Sequence, residues 1–458
     1  MSTQRISRRQ LLTGAGAAAL SIPFINLGRA WADEQPNIVF ILTDDQRYDA
    51  MSCAGHPFLR TPNLDRLAAE GVRFGNAFVT IALCAPSRAC FLTGQYAHSH
   101  GIKDNKTHLD DSTITFPRVL HDAGYDTAFM GKWHMDGQEG PRPGVNRWVS
   151  FKGQGEYWPS ALNVDGRMTN VAGHMTDVLT DFAVDWLKQP RKSPFMLYLS
   201  HKSVHGPFTP PIRHSKLYSD AKVPRPETMG KDYEGQPKWL ENAQGWNLGT
   251  RKADPEAHAR FVRNYNRCIV GIDESVGRVL STLQDIGALD NTVVVFAGDN
   301  GYFQGEHDLR DKRAMYEESI RIPLLMRYPR LVRPAKLENR MVLHIDLCPT
   351  LLDLAGVKVP ETVQGRSWKP LLKGKASDWR RDFLYEYWEE KPFPIPTIRG
   401  VRTDRWKYIE YPEIDDTSEL YDLKNDPIET KNLINSPSAA ATLADMRARL
   451  ARLLKETA

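Results

Sequence analysis

Leu83-Cys84-Ala85-Pro86-Ser87-Arg88-Ala89-Cys90-Phe91-Leu92-Thr93-Gly94 is the stretch on which the reading of this chain turns. Pro86 has a fixed φ and no N–H to lose, which suits the first turn of a helix. Ser87 to Leu92 continue that helix, and Gly94 is placed to end it. Cys84 is then predicted at a helix N-terminus, where free N–H groups and the helix dipole attract anions. Arg88 lies one turn on, faces the same way, and adds a permanent charge with forked donors. The stretch describes an oxyanion site that contains a cysteine. An activated thiolate and an inert buried thiol are both compatible with it.

Working outward, apolar runs of strand length end in polar residues. Asn37 to Thr43 looks like a strand buried on both faces of a parallel sheet, and it ends in Asp44-Asp45. Asp126 to Met130 runs into Gly131-Lys132-Trp133-His134, and Pro194 to Ser200 into His201-Lys202-Ser203-Val204-His205. Thr292 to Ala297 runs into Gly298-Asp299-Asn300-Gly301, with Glu306-His307 and Lys312 beyond. Ligands of open α/β sheets bind at the carboxyl ends of strands. Adjacent carboxylates there are unfavourable unless a cation pairs them. Taken alone, Asp44-Asp45 is equally compatible with a solvated turn or a helix cap, and Asp299-Asn300 is a second acidic or amide pair at a strand end.

Helices are expected from Thr61 to Ala68, up to Gly124, from Thr176 to Leu187, from Ala259 to Gln284 with a break near Gly271, and from His344 to Gly356. Ile322 to Arg327 reads as another core strand. Arg142 to Gly155 reads as a loop, and the nearby Trp148, Phe151 and Trp158 suit either a sugar platform or packing. Pro207 to about His258 is rich in proline and charge, and reads as a substrate-facing excursion or a surface insertion. Arg399 to Ile409 and Glu419 to Leu423 look like strands of a small antiparallel sheet. A terminal helix opens at Ser436-Pro437, with an apolar stripe through Leu443, Met446, Leu450, Leu453 and Leu454. The fold class is α/β, a large mixed but mainly parallel sheet flanked by helices, plus that C-terminal sheet and helix.

The chain has 458 residues, 41% hydrophobic and 25% charged, with a formal net charge of +4. That balance is ordinary for a soluble globular protein, and no basic stripe with aromatics points to nucleic acid. Cys53, Cys84, Cys90, Cys268 and Cys348 are an odd, scattered set, neither a disulfide framework nor a zinc pattern. At the start, Arg8-Arg9 precedes a mild apolar run from Leu11 to Ile25 and the cleavage-like Ala30-Trp31-Ala32. This resembles a twin-arginine export signal, and the run is short and weakly apolar for a membrane anchor. The expected organisation is an export signal over 1–32, a catalytic domain over 33–372 and a C-terminal subdomain over 373–458. The expected location is periplasmic or secreted, with the twin-arginine translocase as a partner and no stable membrane insertion after cleavage.

C-x-P-S-R followed by A-x-x-L-T-G resembles the signature of the type I sulfatases, within the alkaline phosphatase superfamily. The T-P-N-L-D helix, G-K-W-H, the His before x-Pro, D-N-G, G-E-H and a following Lys recur in that family's order. Asn37 to Pro207, above all Ala82 to Arg88 and Phe151 to Gly155, looks most like N-acetylglucosamine-6-sulfatases and mucin-desulfating sulfatases. The resemblance implies that a formylglycine-generating system oxidises Cys84 to formylglycine, whose hydrate is the nucleophile. It implies one Ca²⁺ held by Asp44, Asp45, Asp299, Asn300 and the oxidised Cys84. Arg88, Lys132, His134, His205 and Lys312 then surround the sulfate. By the same resemblance, His205, with Lys312, protonates the leaving alcohol, and His134 accepts the proton when sulfate is expelled. The implied substrates are sulfated carbohydrates, 6-O-sulfated N-acetylglucosamine among them. Two other readings stay open: a phosphate or phosphonate monoester hydrolase on the same fold, and a sulfated-glycan binding protein if Cys84 is unmodified.

Overall fold

The four apolar runs form neighbouring strands, and their register brings the polar residues together. The structure is a computed structural model that describes residues 35–135, 140–245 and 254–458. The expected export signal over 1–32 lies outside the described residues. Among the described residues, ten strands make the large sheet. They are β1 (Asn37–Thr43), β2 (Val72–Phe74), β3 (Asp126–Lys132), β4 (Arg147–Phe151), β5 (Ala161–Val164), β6 (Arg167–Asn170), β7 (Phe195–Ser200), β8 (Thr292–Gly298), β9 (Leu324–Arg327) and β10 (Lys336–Glu338). Their order across the sheet is β10-β2-β9-β8-β1-β7-β3-β4-β5-β6. The centre, β8-β1-β7-β3-β4, is parallel, and antiparallel pairs flank it. Parallel strands are covered on both faces, which is why β1, β7 and β8 read as unbroken apolar runs.

Helices cover both faces. On one side α1 (Pro62–Ala69), α4 (Met175–Leu187) and α6 (Pro255–Asp285) pack on alternate residues of β1, β7 and β8. On the other side α2 (Cys84–Thr93), α3 (Phe116–Asp122) and α7 (Leu347–Leu354) pack on the opposite set, among them Phe40, Tyr198 and Val295. In α6 the side chain of Asp254 accepts from the Ala257 N–H at 2.8 Å, and Pro255 follows at the first helical position. The helix runs 31 residues without the break expected at Gly271. A Cβ on Gly271 would stand 3.2 Å from Pro211 Cγ, so that glycine serves close packing.

Arg142 to Gly155 is not all loop, because β4 occupies its middle and pairs with β3. The reason is tertiary. Trp148 is fully buried, stacked on Phe129 at 4.9 Å and edge-on to Trp133 at 5.6 Å. Trp148 and Phe151 are therefore packing residues, and of the three aromatics only Trp158 is exposed. Arg399 to Ile409 resolves into two strands of the C-terminal sheet. That sheet runs β11 (Asp382–Tyr387), β12 (Ile398–Thr403), β13 (Trp406–Glu410), β14 (Glu419–Asp422), all antiparallel, with α8 (Ala440–Thr457) packed on it. Gln35–Ala458 forms one compact unit.

The excursion after Pro207 is tied down rather than loose where it is described. The N–H groups of Lys238 and Trp239 open α5 (Lys238–Gly245) by donating to Asp416 at 2.9 and 2.8 Å. Asn432 donates to Gly235 O at 2.7 Å, and the Gly230 N–H donates to Asp308 at 2.7 Å. No helix among the described residues is long and apolar enough to cross a membrane.

Candidate active site

Leu42 of β1 pairs with Ala297 of β8, and Thr43 with Gly298, so Asp44-Asp45 and Asp299-Asn300 leave the sheet side by side. The Asp299 N–H donates to Thr43 O at 2.9 Å, and the Asp45 N–H donates to Asp299 Oδ1 at 2.9 Å. On the other side of β1 the Asp44 N–H donates to Ser203 O at 3.0 Å, which fixes the loop after β7. Next to β7, Gly131 of β3 comes so close that a Cβ would lie 1.7 Å from Ser200 O, and its φ is +117°. Only glycine allows this approach, which delivers Lys132 and His134 to the same edge.

All ten residues of α2 are buried, and Gly94 ends the helix in the left-handed conformation, φ +70°. Cys84 begins it, with Sγ 3.6 Å from Asp44 Oδ1 and 2.8 Å from Lys312 Nζ. Arg88 Nε donates to Asp299 Oδ2 at 2.9 Å, while Nη1 donates to Lys132 O at 2.8 Å and Ser200 Oγ at 2.7 Å. Lys132 pairs with Asp44, and Lys312 with Asp45. His205 Nε2 lies 3.9 Å from Asp45 Oδ2. The structure thus brings together Cys84, Arg88, Lys132, His205, Lys312, Asp44, Asp45, Asp299 and Asn300. His134 joins them, buried in the left-handed conformation at φ +60°, its Nδ1 hydrogen-bonded to none of the described residues.

Burial shifts several of these groups. It raises Asp299, reinforced by Asp44 and Asp45 against Arg88. It opposes ionisation of Asp44 too, but Lys132, His205, Arg88 and Lys312 outweigh it and hold that carboxyl well below its usual range. Burial pushes His205 down to about 4 and lowers His134 further, with Lys132 and Arg88 adding to the latter. Burial also pushes the Cys84 thiol up to about 12 against Lys132 and Lys312. Among protein groups alone, then, Cys84 is no thiolate at neutral pH, unlike an activated cysteine nucleophile.

The oxygens fit a hard cation. Asp44, Asp45 and Asp299 each bring a carboxylate oxygen within 4.8 Å of the others. Asn300 Nδ2 donates to Asp45 Oδ1 at 2.7 Å, while its buried Oδ1 accepts from none of the described residues. Three converging carboxylates and one idle amide oxygen are the donors that Ca²⁺ takes.

Further residues position these groups. Gln154 Oε1 accepts from Lys132 Nζ at 2.5 Å, and Gln154 O accepts from Lys202 Nζ at 3.0 Å. Lys202 is pushed down to about 8 by burial, with Lys132 next to it. Ser87 Oγ donates to Asp299 O at 2.5 Å and meets His344 Nδ1 at 3.0 Å, which braces α2 against the end of β8. Gln154 lies in the Phe151 to Gly155 run quoted above, between glycines with φ of +55° and +62°. His201 is placed elsewhere: it is fully buried and bonds Ser275 Oγ of α6 at 3.1 Å.

Comparison with known proteins meets this geometry from outside. A family profile described as Sulfatase matches residues 36–357, and one described as N-sulphoglucosamine sulphohydrolase, C-terminal, matches 305–456. An N-acetylglucosamine-6-O-sulfatase of Bacteroides thetaiotaomicron is 33% identical, over 96% of this chain and 89% of its own. The N-acetylglucosamine-6-sulfatase of Capra hircus is 29% identical, over 89% of this chain and 82% of its own. Among solved structures, a protein in complex with its substrate D-glucosamine-2-N,6-O-disulfate superposes with a TM-score of 0.88 at 32% identity, covering 93% of this chain and 98% of that one. The phosphonate monoester hydrolase of Agrobacterium radiobacter, at 22% identity, TM-score 0.78 and 93% and 96% coverage, shares the fold.

Proposed function

This chain belongs to the sulfatase family and is a sulfuric ester hydrolase, and from that premise we propose that it removes the 6-O-sulfate of glucosamine or N-acetylglucosamine in sulfated glycans. Two relatives that match over most of their length carry that activity in their names, and a similar solved structure is bound to D-glucosamine-2-N,6-O-disulfate. The observation that carries the reading is the single cluster in which Cys84 Sγ lies 2.8 Å from Lys312 and 3.6 Å from Asp44, inside a ring of Arg88, Lys132, His134 and His205.

Cys84 carries the nucleophile as formylglycine in this proposal, and Asp44, Asp45, Asp299 and Asn300 hold one Ca²⁺. Formylglycine, when present, supplies a hydrated aldehyde, and the cation supplies charge that favours a bound oxygen anion. The chain's residues do the rest. Asp44, Asp45 and Asp299 face Lys132, Lys312 and Arg88, three carboxylates against three cations. A divalent cation added to that balanced set leaves a net positive pocket, which favours the anionic sulfate. Arg88 is held by Asp299, Ser200 and the Lys132 carbonyl, so it cannot swing and serves as fixed charge. Lys132 and Lys312 bind sulfate oxygens. His205, pushed down to about 4, is neutral at pH 7 in the resting protein. The proton for the departing alcohol comes from the His205–Lys312 pair, in which Lys312 is held by Asp45. His134, whose Nδ1 is hydrogen-bonded to none of the described residues, takes up the proton when sulfate is released.

Export by the twin-arginine pathway to the periplasm or beyond belongs to the same proposal, supported by Arg8-Arg9, the apolar run and Ala30-Trp31-Ala32.

The test measures sulfate release from N-acetylglucosamine 6-sulfate with Ca²⁺, using protein whose Cys84 peptide has the mass of formylglycine. Release by that protein and not by Cys84→Ala supports the proposal. No release from fully modified protein removes the 6-O-sulfated amino sugar as substrate.

A further inference from the structure

Two side chains of the C-terminal part reach the active site from behind. Tyr385 of β11 is fully buried, and its hydroxyl joins two segments that are far apart in the chain. It accepts from the Ala82 N–H at 3.3 Å and donates to Arg313 O at 2.5 Å. Ala82 stands two residues before Cys84, and Arg313 directly follows Lys312. Burial pushes the phenol up, so the hydroxyl keeps the proton it donates. Glu390, just past the same strand, bridges the same two segments again. Its Oε1 accepts from the Asn105 N–H at 3.0 Å, and Asn105 Oδ1 accepts from the Ala85 N–H at 3.0 Å. Its Oε2 accepts from Arg313 Nη2 at 3.2 Å. The backbone of β11 is itself fixed to the approach to α2, because the Glu386 N–H donates to Thr80 O at 2.9 Å.

Ala82 and Ala85 bracket Cys84, and both bridges end on Arg313. The pair they flank is Cys84 and Lys312, whose Sγ and Nζ stand 2.8 Å apart. Without the Tyr385 hydroxyl, a buried N–H and a buried carbonyl lose a partner, and no water is at hand to replace it. The segments then relieve the loss by moving. Catalysis is sensitive to such a movement, since a misplacement of about 1 Å can lower a rate about a hundredfold. We propose that Tyr385 and Glu390 are positioning residues for sulfate-ester cleavage, which set the separation of residue 84 from Lys312. The inference rests on the reading of Cys84 and Lys312 as members of the active site, and not on which sulfated sugar is cleaved.

The test compares Tyr385→Phe and Glu390→Gln with Tyr421→Phe, which also loses a buried hydroxyl of the C-terminal sheet, one that donates to Glu419 at 2.5 Å. Turnover of N-acetylglucosamine 6-sulfate is counted per folded molecule whose residue 84 has the mass of formylglycine. In Tyr385→Phe kcat should fall roughly tenfold or more, with KM within about threefold. Glu390→Gln keeps a carbonyl for Asn105 but loses the carboxylate that holds Arg313, and its kcat should fall about threefold or more. Tyr421→Phe should stay within about twofold of the parent, which a merely structural role for Tyr385 would not allow. Crystal structures of the parent and of each variant read the link without any substrate: in Tyr385→Phe and Glu390→Gln the separation of residue 84 from Lys312 Nζ should change by about 0.5 Å or more. Glu390→Gln carries the test if Tyr385→Phe does not fold. The proposal is overturned by equal kcat values in Tyr385→Phe and Tyr421→Phe, by a loss that lies wholly in KM, or by an unchanged separation in the crystals. A parent that releases no sulfate from this sugar removes the substrate reading instead, and the crystal structures then decide the link.

Discussion

At the carboxyl edge of the large sheet, Asp44, Asp45 and Asp299 meet Lys132, Lys312 and Arg88. Beneath the C-terminal sheet, Glu317 and Glu429 meet Lys407 and Arg402. Lys407 is fully buried, 2.9 Å from Glu317 and 2.6 Å from Glu429. Arg402 Nη2 reaches Glu317 at 3.0 Å, and the Glu317 N–H donates to Glu429 at 2.9 Å. His307, Glu318 and Glu429 even bring ligand atoms within 4.8 Å of one another, as the three aspartates do. The two clusters differ in origin. The first is assembled from strand ends and the N-terminus of α2. In the second, Lys407 and Arg402 stand within strands β13 and β12 and clamp their partners. Buried charge alone therefore does not mark a reactive centre; convergence at the carboxyl ends of parallel strands does.

The largest effect is expected at Cys84. Cys84→Ala should lower sulfate release by more than about 10⁴-fold, as loss of a nucleophile does, with the melting temperature nearly unchanged. Residual turnover within tenfold of the parent would mean that the first cluster is no more reactive than the second. Asp299→Ala comes next: calcium content by elemental analysis and activity should fall together, activity by roughly a hundredfold or more. Full calcium retention would remove Asp299 from the ligand set. For the second cluster the readouts are exchanged. Lys407→Met leaves Glu317 and Glu429 without their cation and should destabilise the fold by about 3–5 kcal/mol in urea unfolding, as breaking a buried pair does. Turnover per folded molecule should stay within twofold, and a large fall would erase the contrast.

The smallest effect is a pH slope. Glu318 is raised by burial and by Glu306 and Glu429, and Glu429 by burial and Glu317 against Lys407. A carboxyl with a raised folded-state pKa holds its proton longer in the native protein than in the unfolded chain. Its contribution is most favourable below the unfolded value near 4.3 and is lost as pH rises towards the folded one, by up to about 1.4 kcal/mol per pH unit. Glu318→Gln should flatten the fall in stability above about pH 4.5; an unchanged slope would show that Glu318 ionises normally.

Much of the first cluster was legible because it sits where simple patterns end. β1, β7 and β8 are apolar runs closed by polar residues, and parallel pairing places such ends together. The second cluster was invisible, since Lys407 and Arg402 look like ordinary residues of a polar strand and their partners are distant in sequence. β4 was hidden by the glycines and prolines around it, while its burial comes from Phe129 and Trp133. Gln154 and His344 act on Lys132 and Ser87 through contacts between elements, which no local spacing announces.

The burial of α2 has a consequence in time. The Cys84 side chain has no exposed surface once the strands around it have docked. Its cover includes Lys312, from a part of the chain synthesised long after it. Any enzyme that oxidises this thiol must therefore meet residues 83–94 as an open segment, before the later strands arrive. On the proposed chemistry, maturation and folding compete for the same interval. Faster closure of the sheet, ordinarily an advantage, would yield more protein that is correctly folded and never activated.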